Sequence, residues 1–259
     1  MRFEPSMWQG EYRFLLTNLI QKDFKVRYRN MSLGVLWSLF NPLVTMAALT
    51  FVFTKLFHNP QRDFPVFVLC GLVPFNFFAL AWSTATGSVV DNAVLMKRVP
   101  IPREIIPIAT VLGNCVHLVI QIGLLLAFAL AFGKGVNRYW LWLPVLWVLE
   151  IVLVCGMALA TSAINIYVRD TRYVVESANT ILFWMVPIFY GFESIPHQYA
   201  AVYRFNPIAA LVLALRNILM ESSPPRPELL LQLAGGSAVI LLAGIFIFRK
   251  LKPGFYDYL

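Results

Sequence analysis

The chain has 259 residues, of which 59% are hydrophobic and only 13% charged, with a mean hydropathy of +0.70 and a formal net charge of +8. A soluble domain carries about 25% charged and about 45–50% apolar residues, so this composition excludes an ordinary soluble fold. In a soluble protein the positive balance would point to nucleic acid. In a membrane chain it reads as Lys and Arg in loops that face the cytoplasm and anionic lipid.

The first element is residues 11–30, "EYRFLLTNLIQKDFKVRYRN". Tyr12, Leu16, Ile20 and Phe24 recur every four residues with Leu15 and Leu19 beside them, while Arg13, Thr17, Gln21 and Lys25 fall on another face. This spacing predicts an amphipathic interface helix on the cytoplasmic membrane surface. It leaves open whether the helix is a topology anchor or has a more specific role. No cleavable signal peptide is expected, because the first apolar run starts only near Leu33 and is too long for one.

A membrane helix needs about 20 apolar residues. Six runs qualify: 33–57, 64–88, 107–133, 139–167, 174–191 and 229–248, the fifth being the shortest and interrupted by Pro187. An even number puts both termini on one side. Segments 1–32, 89–106, 168–173 and 249–259 hold 14 of the 21 Lys and Arg residues, so the positive-inside rule assigns them to the cytoplasm. Trp140 and Trp142 suit an outer interfacial belt, or plain lipid contact.

Residues 192–223 contain a strongly apolar piece, 208–220, set off by Pro196 and Pro207. At ~1.5 Å rise per residue it is too short to span. Both its ends must be external if the fifth and sixth runs each cross once. A re-entrant helical hairpin buried against protein satisfies this. The competing reading is a helix lying flat on the outer leaflet. The expected fold is therefore an all-α integral membrane protein forming one membrane domain. It has six transmembrane helices, an interface helix and an outer re-entrant hairpin.

Catalytic and nucleotide-binding signatures do not match. "FGKG" at 132–135 lacks the spacing and the hydroxyl of a phosphate loop. His58, His117 and His197 are widely separated, and no metal site is expected; Cys70, Cys115 and Cys155 lie within apolar runs as packing residues. "NMS" at 30–32 matches a glycosylation sequon by chance, on the cytoplasmic side. Glu150 is the one carboxylate deep in an apolar run. It suits a proton relay in a secondary transporter, or a hydrogen bond to a neighbouring helix. Aromatic residues cluster at Phe75, Phe77, Phe78 and Trp82 and again at Phe183, Trp184, Phe189 and Tyr190. Packing and lipid contact explain most such residues, and sugar rings also stack on aromatic faces.

Six stretches, taken in order, resemble the permease subunit of ABC polysaccharide exporters, the O-antigen and teichoic-acid transporters of bacteria. They are "FKVRYRNMSLGVLWSLFNPL" (24–43), "MKRVPIPREIIPIA" (96–109), "RDTRYVVE" (169–176), "FWMVPIFYGFESIP" (183–196), "NPIAALVLALRNIL" (206–219) and "FRKLKPGFYDYL" (248–259). The resemblance implies a homodimer in the bacterial inner membrane with both termini cytoplasmic. Two copies of a separate ATPase would carry ATP and Mg, with no cofactor on this chain, and a lipid-linked polysaccharide would pass between the permease copies. It also implies that 91–106 is a coupling segment and 192–223 a gate. Lys97, Arg98, Arg103 and Glu104 would then be handles for the ATPase, stiffened by Pro100 and Pro102. The residues alone fit an ordinary positive loop equally well.

Three further expectations follow. Arg27 and Arg29, at headgroup depth, would meet the lipid pyrophosphate. Some of Phe75, Trp82, Trp184 and Tyr190 would line the conduit. Pro196, Pro207 and Arg216 would shape the gate, with Arg216 turned from lipid. The rivals are a proton-coupled transporter using Glu150, a membrane transferase for which Glu104 and Asp91 make a poor acid pair, and an ABC exporter of teichoic acid, a drug or a small lipid.

Overall fold

The computed structural model describes residues 8–27, 36–57, 61–98, 101–191 and 206–258, and every regular element among them is helical. The α-helices are α1 (Trp8–Arg27), α2 (Trp37–Phe51), α3 (Phe64–Asp91), α4 (Ala93–Arg98), α5 (Ile105–Ala131), α6 (Leu143–Tyr167), α7 (Thr171–Met185), α8 (Pro207–Leu219), α9 (Pro227–Leu251) and α10 (Phe255–Tyr258). A π-helix at Val52–Leu56 prolongs α2, and 3-10 turns at Arg138–Trp142 and Lys252–Gly254 precede α6 and follow α9. Helices suit a bilayer because they satisfy their own backbone hydrogen bonds where no water is present.

Five stretches are long and apolar enough to cross a membrane: Trp37–Leu56, Phe64–Asp91, Ile105–Ala131, Arg138–Tyr167 and Pro227–Gly254. They match five of the six apolar runs to within a few residues, and the chain is a multi-pass membrane protein. The run 174–191 departs from expectation. Its helix, α7, ends at Met185 after 15 residues. At ~1.5 Å per residue this falls well short of a ~30 Å hydrocarbon core. Val186 is extended, with φ −80° and ψ 136°. The cause is Pro187, whose ring disfavours helical geometry in the residue before it.

α3 is the central helix, buried along most of its length against α2, α5, α6, α7 and α8. The most extensive helix pair is α6 with α9. Their backbones meet at Gly156 and Gly244, where a Cβ on Gly244 would overlap the Gly156 carbonyl. Small residues permit this approach where lipid offers no hydrophobic drive between helices. Ser237 Oγ adds a 3.0 Å bond to the Leu149 carbonyl. A polar seam joins the other helices: Thr86 meets Thr161 at 2.7 Å, and Asn114 Nδ2 donates to Thr84 Oγ1 at 3.0 Å.

α1 packs against the start of α5. Leu19 is buried against Ile105 and Ala109, with Leu16, Ile20 and Leu95 around them. Phe14, Gln21 and Lys25 stay exposed.

The loops sort to two ends of the bundle. One end joins Asp63 to Lys134 at 2.9 Å, and Asn137 Nδ2 to the Ile218 carbonyl at 3.0 Å. The other gathers Asp91, Glu104, Arg172 and Lys252.

Candidate functional site

The charged segment between α3 and α5 is held at both of its ends. At the α3 end, Arg172 from the first turn of α7 lies 2.6 Å from Asp91 Oδ1 and donates to the Gly87 carbonyl at 3.3 Å. Gly87 makes the notch for this guanidinium, since a Cβ there would lie 2.9 Å from Arg172 Cζ. Lys22 of α1 bonds Asn92 Oδ1, one residue further on.

At the α5 end, Lys252 Nζ sits 2.9 and 3.1 Å from the two oxygens of Glu104. Arg103 Nη1 donates to the Lys252 carbonyl at 2.8 Å, and its guanidinium lies 5.6 Å from the Phe255 ring centre. Arg103 and Glu104 therefore do not extend as free handles: both grip the C-terminal tail. Lys97 is exposed, and Arg98 ends α4. Arg172, Lys252 and Phe255 were missed from the sequence. Each lies some 80 or more residues along the chain from its partner, and no local pattern announces the contact.

The opposite end is organised by Arg216, only 5% exposed. Asn206 caps α8, its Oδ1 accepting from Ile208 N at 3.0 Å, and Pro207 occupies the first turn. Eleven of the thirteen residues of α8 are buried, so it does not lie on a lipid surface. Pro207 lies beside Gly236, nine residues into α9 from its start, or ~13 Å along that helix. The far end of α8 meets Asn137.

From α8, Arg216 reaches the break after α7. Nη2 donates to the Ile188 carbonyl at 2.8 Å and to the Phe67 carbonyl at 3.4 Å, and Nη1 to the Tyr190 carbonyl at 3.4 Å. Its guanidinium stacks 3.4 Å from the Phe67 ring centre. A planar fork with five donors suits three carbonyls at once. Gly71 lets the break sit close, for a Cβ there would lie 2.8 Å from Ile188 Cα.

The four aromatic residues picked for a conduit separate. Phe75 and Trp82 are 5% and 6% exposed, covered by the chain's own side chains. Phe75 meets Phe183 at 5.5 Å, and Trp82 meets Phe78 at 5.4 Å. Phe75 is closed off by the α3–α7 contact, and Trp82 packs against Phe78 of its own helix. Trp184 is 62% exposed, and Tyr190 is half-buried with its hydroxyl donating to the Trp184 carbonyl at 2.9 Å. Tyr173, Val174 and Ile181 extend the exposed apolar surface of α7.

Arg27 is the last residue of α1, while Arg29 and Pro196 lie outside the described residues. Glu150 is fully buried, and among the described residues neither carboxylate oxygen has a hydrogen-bond partner. The helix-to-helix bond expected of it is not made. Among the described residues no group of His, Cys, Asp and Glu is arranged to hold a metal.

Comparison with known proteins supplies the family. The ABC-2 type transporter family matches residues 15–220. The O-antigen export system permease protein RfbA of Klebsiella pneumoniae is 28% identical over 246 residues, 95% of each chain. Its namesake from Myxococcus xanthus is also 28% identical, over 95% of this chain and 96% of its own. The polysialic acid transport protein KpsM of Escherichia coli is 26% identical, over 89% of this chain and 91% of its own. A match that covers the second half of α1, the charged segment, the broken run and the buried short helix places this chain in the ABC-2 type transporter family.

Proposed function

We propose that the chain is the permease subunit of an ATP-driven exporter of a lipid-linked polysaccharide. It acts as a homodimer in the bacterial inner membrane, with both termini cytoplasmic and two copies of a separate ATPase that bind ATP and Mg. The observation that carries this reading is the end-to-end similarity to export permeases, at 28% identity over 95% of both chains. The sequence supports it, since the chain has no phosphate loop of its own. ATP energy must then arrive mechanically from another subunit.

The segment 91–104 is where such force would enter. It continues directly into α3 and α5, and the Asp91–Arg172 pair joins it to α7. The exposed surface of α7, with Trp184 and Tyr190, faces the second permease copy and the passing polymer. The buried helix α8 and the break held by Arg216 form the outer gate as a re-entrant element. Arg27 and Arg29 receive the lipid pyrophosphate at the cytoplasmic interface, where bidentate Arg contacts match phosphate oxygens. The proton-relay alternative draws no support from Glu150, since a relay needs neighbours that pass the proton and its oxygens have none among the described residues.

The test is purification of the tagged chain from its host, followed by reconstitution. A phosphate-loop ATPase should co-purify, and surface glycan should vanish when the chain's gene is deleted. Unchanged surface glycan and a chain that purifies without an ATPase would overturn the reading.

A further inference from the structure

The tail after α9 is closely bound by side chains of α6 and α9. Here Phe255 is 0% exposed, with ring centres 5.4 Å from Phe248 and 6.2 Å from Tyr167. Tyr167 Oη donates to the Leu251 carbonyl at 2.7 Å, and Arg169 Nη2 to the Tyr258 carbonyl at 3.3 Å. The Tyr258 ring centre lies 4.6 Å from that of Tyr167, the planes tilted by 53°, and Gly254 leaves room for the Tyr167 hydroxyl. The tail is thereby fastened to the end of α6.

From that anchorage it reaches outward to one place. Lys252 holds Glu104 through both carboxylate oxygens, and its carbonyl accepts from Arg103. Glu104 is the N-cap residue of α5, yet its carboxylate makes no cap bond to the helix. At that position a carboxylate would ordinarily serve the free backbone N–H groups. It turns to the tail instead. The ion pair is about two-fifths exposed on each side. A pair so hydrated adds little to stability, and it opens and closes readily.

We propose that the C-terminal tail, Lys252–Tyr258, is a brace that sets the position of the segment 91–104 against α6. Lys252 and Glu104 are its adjustable joint, and Phe255 is its fixed anchor. The proposal rests on the permease reading only for its consequence. Force from an ATPase would be shared between α5, through the backbone, and α6, through the tail. Lys252 and Glu104 are positioning residues that act through geometry.

The experiment uses the full chain in lipid nanodiscs, with spin labels at Lys97 and Ile164 and pulsed dipolar distance measurement. Variants are Lys252→Glu, Glu104→Lys, the double swap, and Lys252→Arg. Each single reversal is expected to broaden or shift the distance distribution, while the double swap and Lys252→Arg restore it. Removal of an exposed pair shifts an equilibrium by up to about fivefold, so a second population should become visible. Distances identical to wild type in both single reversals, or no restoration by the swap, would overturn the brace. A parallel assay measures ATP hydrolysis by the complex that co-purifies from the host. It is expected to fall by up to about fivefold in the single reversals and to recover in the swap. Altered distances with unaltered hydrolysis would instead count against force entering at 91–104, so the two failures are separable.

Discussion

The two ends of the bundle hold their irregular segments by different chemistry. At the end bearing 132–142, a buried cation, Arg216, grips three neutral carbonyls and an aromatic face. At the other end, half-exposed cations meet carboxylates: Arg172 with Asp91, and Lys252 with Glu104. A desolvated cation on carbonyls is insensitive to salt and costly to remove. Hydrated ion pairs are cheap to break and screened by salt. One end holds a broken helix by a buried contact, and the other holds a charged segment by hydrated ones.

The sharpest test of that contrast concerns what anchors the end that carries the tail. If packing supplies the hold and the ion pair the adjustment, Phe255→Ala should cost about 3 kcal/mol, the usual loss for a buried Phe. Thermal unfolding in detergent would read it, and an unchanged midpoint would put the anchor elsewhere. Next comes the Arg216 pin. Arg216→Leu leaves three carbonyls without their donor, and about 2 kcal/mol of destabilisation is expected. The loss should be the same at low and high salt. A loss that disappears at high salt would mean that Arg216 is hydrated and the two ends are alike.

The Asp91–Arg172 and Lys252–Glu104 pairs should behave in the opposite way. A double-mutant cycle on Asp91→Asn and Arg172→Gln is expected to give about 0.5 kcal/mol or less, discounted for the exposure of both side chains, and to vanish in 1 M salt. A coupling energy that persisted in high salt would erase the distinction. Smallest in stability is Trp184→Ala, expected within about 0.5 kcal/mol of wild type because the ring is exposed. Export should nonetheless slow if α7 faces the polymer. An unaltered export rate in this variant would leave the surface of α7 to lipid.

Much of the architecture was legible in the residue order. Five apolar runs became helices within a few residues of the expected bounds, because bilayer thickness sets their length and the backbone must satisfy itself. Pro207 marked the start of α8, as a proline in the first turn does, while the Asn206 cap was not read from the sequence. Pro187 marked the break, yet 174–191 was still counted as a span. Its apolar content outweighed a single residue that turned out to end the helix.

The candidate sites were less legible. Arg103 and Glu104 were singled out as handles for an ATPase, but their partner Lys252 lies 148 residues away from Glu104. Phe75 and Trp184 look alike as letters, and only the rotation of α3 against α7 buries one and exposes the other.

Sequence alone determined that this is a helical membrane chain, where its charged loops fall, and that it carries no phosphate loop. These are consequences of composition, period and local backbone chemistry, which act over a few residues. Tertiary structure decided which side chains meet: Arg216 with the break at Ile188, Gly156 with Gly244, and the tail with Glu104. Those contacts depend on how each helix is rotated and how deeply it is seated, and that is settled only when all the helices pack together.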